Sequence, residues 1–269
     1  GGLYHQINTG ITDERDAGSN FQMWLPTPFR NKPMQAHHAL LGWNQQVVQG
    51  LRVTAEGWYK QFRDLPVPRW TPIVRFNTNL VRADGVAYGV DVSVHYDRDP
   101  FRIDLSYGYG QITYQASEDR LGAWGSEALV EYSPPHDLRH KFGLVTSLKT
   151  NWFTANVRWQ YSSGLPYTQL YGYDTVLEVR GFRDRPTSDV GTPRALYQRP
   201  YDARLASYHR LDASIQRFID ISPNVEFSVE GGAINAYNRA NIFYIDLFTL
   251  DRIDQLSLIP YLSLKVNFR

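Results

Sequence analysis

Residues 86 to 96 alternate without a break. Val86, Tyr88, Val90, Val92, Val94 and Tyr96 fall on one side, and Ala87, Gly89, Asp91, Ser93 and His95 on the other. A period of two sustained over this length predicts a β-strand with one apolar and one polar face. The next segment repeats it, with Phe101, Ile103, Leu105, Tyr107 and Tyr109 opposing Arg102, Asp104, Ser106 and Gly108. Between the two sits Asp97-Arg98-Asp99-Pro100, a tight-turn sequence with Pro to end the pairing. The pattern recurs at 51–63, 152–161 and 225–237, more weakly at 34–47, 137–149 and 207–218, and in the last segment. There Leu258, Pro260, Leu262, Leu264, Val266 and Phe268 oppose Tyr261, Ser263, Lys265, Asn267 and Arg269. Counting a partial strand at the start, the chain reads as about ten antiparallel strands.

The connections alternate long and short. Long ones fall at 8–33, 64–81, 114–136, 162–206 and 239–255, and short ones at 48–50, 97–100, 149–151 and 219–224. A soluble sandwich has no reason to place every long loop at one end. Outer-membrane barrels do so, with short periplasmic turns and longer extracellular loops. The reading is therefore all-β: an antiparallel transmembrane β-barrel with a periplasmic C-terminus.

Composition changes this picture in only a few places. The 269 residues include no Cys, so neither disulfides nor thiolate metal sites arise, and the net charge of +1 gives no sign of a nucleic-acid partner. No apolar run approaches the roughly 18 residues a spanning helix needs. Aromatic content is high at 14%, with 18 Tyr and 7 Trp, as expected where only every second residue faces lipid and aromatics gather at the interfaces. The chain opens as Gly1-Gly2-Leu3-Tyr4-His5, inside a strand and without an export leader. An exported barrel needs one, so further sequence is expected upstream.

Five segments, in order, resemble motifs of TonB-dependent outer-membrane receptors: Leu51–Leu65, Gly85–Val92 (Gly-Val-Ala-Tyr-Gly-Val-Asp-Val), Ser163–Thr168 (Ser-Gly-Leu-Pro-Tyr-Thr), Ser207–Asp212 and Ala233–Arg239. The resemblance implies a barrel of twenty-two strands with an N-terminal plug inside. Residues 1–269 would be the C-terminal part of that one barrel domain, with the plug and the N-terminal strands encoded upstream. It further implies uptake of a scarce nutrient, such as an iron chelate, oligosaccharide or cobalamin, across the outer membrane. Energy would come from the inner-membrane TonB complex, through the missing N-terminus. Implied partners are the outer-membrane lipid, the chain's own plug and the barrel assembly machinery; no enzyme activity and no cofactor are implied. The last strand, through Leu262, Leu264, Val266 and Phe268, resembles the assembly signal, although Arg269 follows the aromatic that such signals end on.

Most residues that could carry chemistry have a plainer reading. His37 and His38 are adjacent, so on a strand they point to opposite faces and do not share an ion. His136 and His140 flank a loop-to-strand junction that spreads them apart, which favours a hydrogen-bonded strand start over a metal site. Ser162, Ser163, His209 and Asp212 supply the residue types of a hydrolase but no nucleophile elbow. Gly108-Tyr109-Gly110 and Gly231-Gly232 precede no helix and are not phosphate loops. Arg52, Glu56, Lys60, Asp91, Arg102, Asp104, Arg158, Arg210, Asp212, Glu226, Glu230 and Lys265 fall on the polar faces, where mixed charge suits a wet lumen packed on a plug. Substrate-contact candidates lie in the long loops: Trp70, Arg75, Trp124, Tyr167, Tyr171, Tyr173 and Arg180. Aromatics with a few Arg suit stacking on sugars or aromatic chelates, and the alternative is that they pack on one another or mark the interface belt.

The alternatives carried forward are a passive outer-membrane channel, an outer-membrane hydrolase and a secreted carbohydrate-binding sandwich. Alone, the segment is expected to form an open curved sheet or to aggregate, because its first and last strands are unpaired edges.

Overall fold

The computed structural model describes residues 6–9, 16–17, 23–26, 33–69, 80–117, 129–176, 191–246, 249 and 251–268. Three short strands come first: β1 (Gln6–Thr9), β2 (Asp16–Ala17) and β3 (Met23–Pro26). Then come β4 (Gln35–Val48), β5 (Leu51–Pro68), β6 (Leu80–Arg98), β7 (Phe101–Ala116), β8 (Val130–Tyr132), β9 (His140–Lys149) and β10 (Thr154–Ser162). The longest connection holds β11 (Pro166–Tyr167), β12 (Leu170–Val176), β13 (Thr192–Tyr197) and β14 (Ala203–Arg204). The chain continues through β15 (Tyr208–Ser222), β16 (Val225–Ile234), β17 (Ile242–Asp246), β18 (Arg252–Asp254) and β19 (Ile259–Phe268).

One antiparallel sheet dominates, in the order β4-β5-β6-β7-β9-β10-β15-β16-β19, with β8 added to β7. It is a sequential meander, which short turns between neighbouring strands enforce. Among the described residues, β4 and β19 are its two unpaired edges. The partial first strand read from the sequence does not join this wall: Gln6–Thr9 pairs with Met23–Pro26 instead.

The register puts most of the apolar side chains of the wall strands on one face. Val53 pairs with Val94, Val94 with Leu105, Leu105 with Leu144, Leu144 with Trp159 and Trp159 with Leu211, giving one continuous row. One residue along, Arg52, His95, Asp104, Val145, Arg158 and Asp212 form a row on the opposite face. The short turn after β4 needs Gly50, whose φ of 85° lies in the left-handed region. Its carbonyl accepts the Asp97 N–H at 2.8 Å, and a Cβ there would sit 2.7 Å from the Asp97 oxygen.

At the long-loop end, strands β5 and β6 run past the alternating segment to Pro68 and from Leu80. A bulge between Phe62 and Leu65 re-aims them, with Asp64 at φ 56° held by Arg82 at 3.0 Å. Beyond the bulge the apolar residues turn inward. Leu65, Val67, Ala83, Ala116, Val130, Tyr132 and Tyr201 form a buried cluster, the only such core among the described residues.

Candidate functional site

The polar face is built by alternation and completed by local pairing. Arg210 reaches Asp212 at 2.9 Å, Arg102 lies 3.7 Å from Asp97 and 4.0 Å from Asp104, and His95 bonds Asp104. Tyr261 donates to Glu230 at 3.0 Å and Asn267 to Glu226 at 3.1 Å. Trp58 lies across Gly89 and Gly110 and donates its indole N–H to Asp91 at 2.8 Å, with the Lys60 ammonium 5.1 Å from its ring. A Cβ on Gly89 would come within 2.3 Å of the Tyr109 carbonyl oxygen and 2.5 Å of the Trp58 ring. Glycine is thus required there for close approach of indole and backbone. All twelve charged residues assigned from the sequence to the polar face lie on it.

The apolar face is zoned along its height. Its middle is aliphatic. Towards the long-loop end it becomes aromatic, with Tyr59 paired to Tyr88, Tyr107 to Phe142, and Phe142 to Tyr161. His140 lies between Tyr107 and Tyr109, bonded to the Tyr107 hydroxyl at 2.9 Å, and His209 bonds the Tyr237 hydroxyl at 2.6 Å. Towards the short-turn end it carries Phe101, Phe227 and Phe268, with Arg98 and Arg217, and the turn residue Trp152 meets Arg217 there. An aliphatic band between two aromatic girdles is what a bilayer selects from a β-barrel surface. Leu262, Leu264, Val266 and Phe268 all lie on this face, and Phe268 is 81% exposed.

The long-loop end carries two polar knots. In the first, Asp137 is fully buried; its Oδ1 accepts the Ile112 N–H at 2.9 Å, and its Oδ2 pairs with Arg139 at 2.7 Å and with Arg204. Arg204 also donates to the Gly164 carbonyl at 3.1 Å, so one guanidinium ties both ends of the 162–206 segment to the wall. Tyr132 stacks on Tyr201 with ring centres 5.7 Å apart, and burial pushes the Tyr132 hydroxyl well above the usual phenol range. Burial lowers the His136 pKa, and the neighbouring Asp137 carboxylate opposes this. In the second knot, Asn235 has φ 54° and is almost fully buried. Its amide donates to the carbonyls of Arg239 (2.9 Å) and Leu256 (3.3 Å) and accepts the Arg239 N–H at 3.0 Å. Its own N–H donates to Asp212 at 2.9 Å.

Of the loop residues singled out from the sequence, Tyr171 and Tyr173 lie on β12, which pairs with β13 as a hairpin, and Tyr167 lies on β11. Tyr171 is 68% exposed and Tyr167 half-buried. Partial burial and the Asp246 carboxylate raise the Tyr173 pKa. Trp70, Arg75, Trp124 and Arg180 lie outside the described residues. Phe243 and Tyr244, which the sequence reading left in a loop, lie on β17 with their rings 5.6 Å apart. Ile242-Phe243-Tyr244-Ile245-Asp246 is a short run of β-branched and aromatic residues, the composition of a strand without its alternation.

No hydrolase relay forms from the candidate residues. Ser163 accepts the His140 N–H at 3.2 Å, His209 bonds Tyr237, and Asp212 is taken up by Arg210 and Asn235. His37 and His38 point to opposite faces, paired with Gln61 and Lys60. Among the described residues no three His, Asp or Glu side chains come together to hold a metal ion.

A meander whose faces are lipid-like on one side and charged on the other is the wall of a transmembrane β-barrel. The family model described as TonB dependent receptor-like, beta-barrel, matches residues 5–236, and the chain belongs to that family. It is similar in structure to the ferric-catecholate import receptor Fiu of Escherichia coli K12, at TM-score 0.55 and 16% identity over 88% of this chain and 28% of that one. It is also similar to the ferripyoverdine receptor of the Pseudomonas aeruginosa outer membrane, at TM-score 0.53 and 10% identity over 88% and 27%. The chain thus spans little more than a quarter of either receptor. No curated protein matches its sequence.

Proposed function

We propose that the chain is the C-terminal wall of an outer-membrane transporter that takes up a scarce nutrient with energy delivered through TonB. The observation that carries the reading is the two-faced wall: an aliphatic band between aromatic girdles outside, and mixed, partly paired charge inside. Among the described residues Arg52, Glu56 and Arg158 form no ion pair, as expected if a polar plug encoded upstream completes them. The long-loop end then faces the exterior. Tyr167, Tyr171 and Tyr173 of the 162–206 connection and Phe243 and Tyr244 of β17 offer aromatic side chains to a ligand such as an iron chelate, an oligosaccharide or cobalamin. Trp70, Arg75, Trp124 and Arg180 are assigned to the same role from sequence alone. Leu262, Leu264, Val266 and Phe268 are the segment offered to the barrel assembly machinery.

The test is uptake by the full-length protein in an outer-membrane host with and without TonB. Each nutrient class is supplied in turn as a labelled compound. Energised uptake of one class that stops when TonB is deleted is the expected result. Uptake that persists without TonB, scaling linearly with concentration, identifies a passive channel and sinks the proposal.

A further inference from the structure

Arg52, Arg102, Arg158 and Arg210 face the lumen, and Arg102 and Arg210 there have carboxylates at hand. Arg217 does not. Its register, opposite Val229 and in line with Leu264, places it on the apolar face between the rows of Ile215 and Ile219. Among the described residues no carboxylate lies within ion-pairing distance of it. The contact it makes is with the Trp152 ring, whose centre is 5.7 Å from the guanidinium carbon. A guanidinium directed at hydrocarbon is costly unless it reaches the headgroup level and meets an anion there.

The geometry supplies both. β10 begins at Thr154, which pairs with Gln216, so Arg217 is level with the turn 150–153, where the β9–β10 part of the apolar face ends. That turn is fixed: the Thr150 hydroxyl accepts the N–H groups of Trp152 at 3.2 Å and Phe153 at 3.0 Å, and donates to the Phe153 carbonyl at 2.9 Å. Trp152 is held outward, 71% exposed, and its indole N–H has no acceptor among the described residues. A planar fork of donors and an indole donor therefore sit side by side at the rim of an apolar surface. Acyl chains have their place next to them, over Ile215, Ile219, Val229 and Leu264.

We propose that Arg217 and Trp152 form a seat for the phosphate of an anionic phospholipid at the short-turn rim of the barrel. The guanidinium binds the phosphodiester oxygens, the indole N–H supplies a further donor, and the aliphatic rows take the acyl chains. This rests on the membrane reading above, with this rim at the periplasmic leaflet.

The test uses the full-length protein, extracted from outer membranes in mild detergent, delipidated, and titrated with phosphatidylglycerol while bound lipid is counted by native mass spectrometry. Arg217→Gln should weaken retention about fivefold, the value of one basic side chain near an anionic lipid surface. Arg217→Lys should recover part of the loss, and Trp152→Phe, which keeps a ring but loses the donor, should show a smaller loss. Diacylglycerol, which lacks the phosphate, should bind wild type and Arg217→Gln alike. Wild-type retention by Arg217→Gln overturns the seat, as does displacement of the lipid by inorganic phosphate at matching concentration. Heat-modifiable gel mobility checks that each variant is folded. Should the full chain fail to fractionate with outer membranes, the membrane reading itself falls, a result distinct from the loss of the seat alone.

Discussion

In the wall, apolar side chains point outward and leave Leu262, Leu264 and Phe268 exposed; in the cap around Asp137 they point inward and bury Leu65, Val67, Tyr132 and Tyr201. The same β-strands, β5 to β7, contribute to both regions, and the bulge at Asp64 marks the change. The wall draws its stability from backbone ladders and from a solvent that accepts its apolar face. The cap carries its own core and its own buried ion pairs. Membrane depth, rather than strand type, decides which way a side chain contributes.

Substitutions that act on one region alone sharpen this contrast. Asp137→Ala should have the largest effect, roughly 3–5 kcal/mol, because it strips a buried partner from Arg139, Arg204 and the Ile112 N–H at once. The loss should fall on the cap: limited proteolysis should cut within 162–206, while the heat-modifiable wall survives. Simultaneous loss of the wall would break the contrast. Leu105→Arg comes next. It places a charge mid-wall on the lipid side and should cost roughly 2–4 kcal/mol in urea titrations of folding into lipid. Ser106→Arg, one residue on and facing the lumen, should be tolerated. Equal costs for the two would remove the basis for assigning the faces. Gly89→Ala should cost roughly 1–3 kcal/mol by driving a methyl group into the Trp58 ring and the Tyr109 carbonyl, with indole fluorescence shifting as Trp58 is displaced.

The smallest effect is a pH dependence of the cap. The folded state lowers the His136 pKa below its ordinary 6.5, so the unfolded cap binds the proton more readily. Stability is then complete above about pH 6.5 and declines as the pH falls below it. Amide hydrogen exchange in β8 should speed up below that pH, and His136→Phe should abolish the step.

The wall was legible because its signal is local. Alternation at period two marks each strand, and turn length fixes both pairing and orientation, so the nine-strand meander and its two faces follow from residues close in sequence. The cap was not legible. Asp137 and Arg204 are 67 positions apart, and nothing near either residue announces the pair. The short strand β8 and the far ends of β5 and β6 lie where alternation fades past the bulge. The hairpin β12–β13 sits inside a segment that reads as loop because Tyr, Gly and Asp are interspersed there. Tyr171 and Tyr173 stood out as aromatics in a long connection, whereas Phe243 and Tyr244 lie in a connection, 239–255, that reads as loop and that the fold resolves into β17 and β18.

Arg204 has a mechanical consequence. Because it grips the Gly164 carbonyl and the Asp137 carboxylate together, both feet of the 162–206 segment stand on one footing. A load applied to the hairpin does not lengthen a slack tether. It arrives at a buried carboxylate that the Ile112 N–H bond joins to β7, and at the Ser163–His140 bonds beside it.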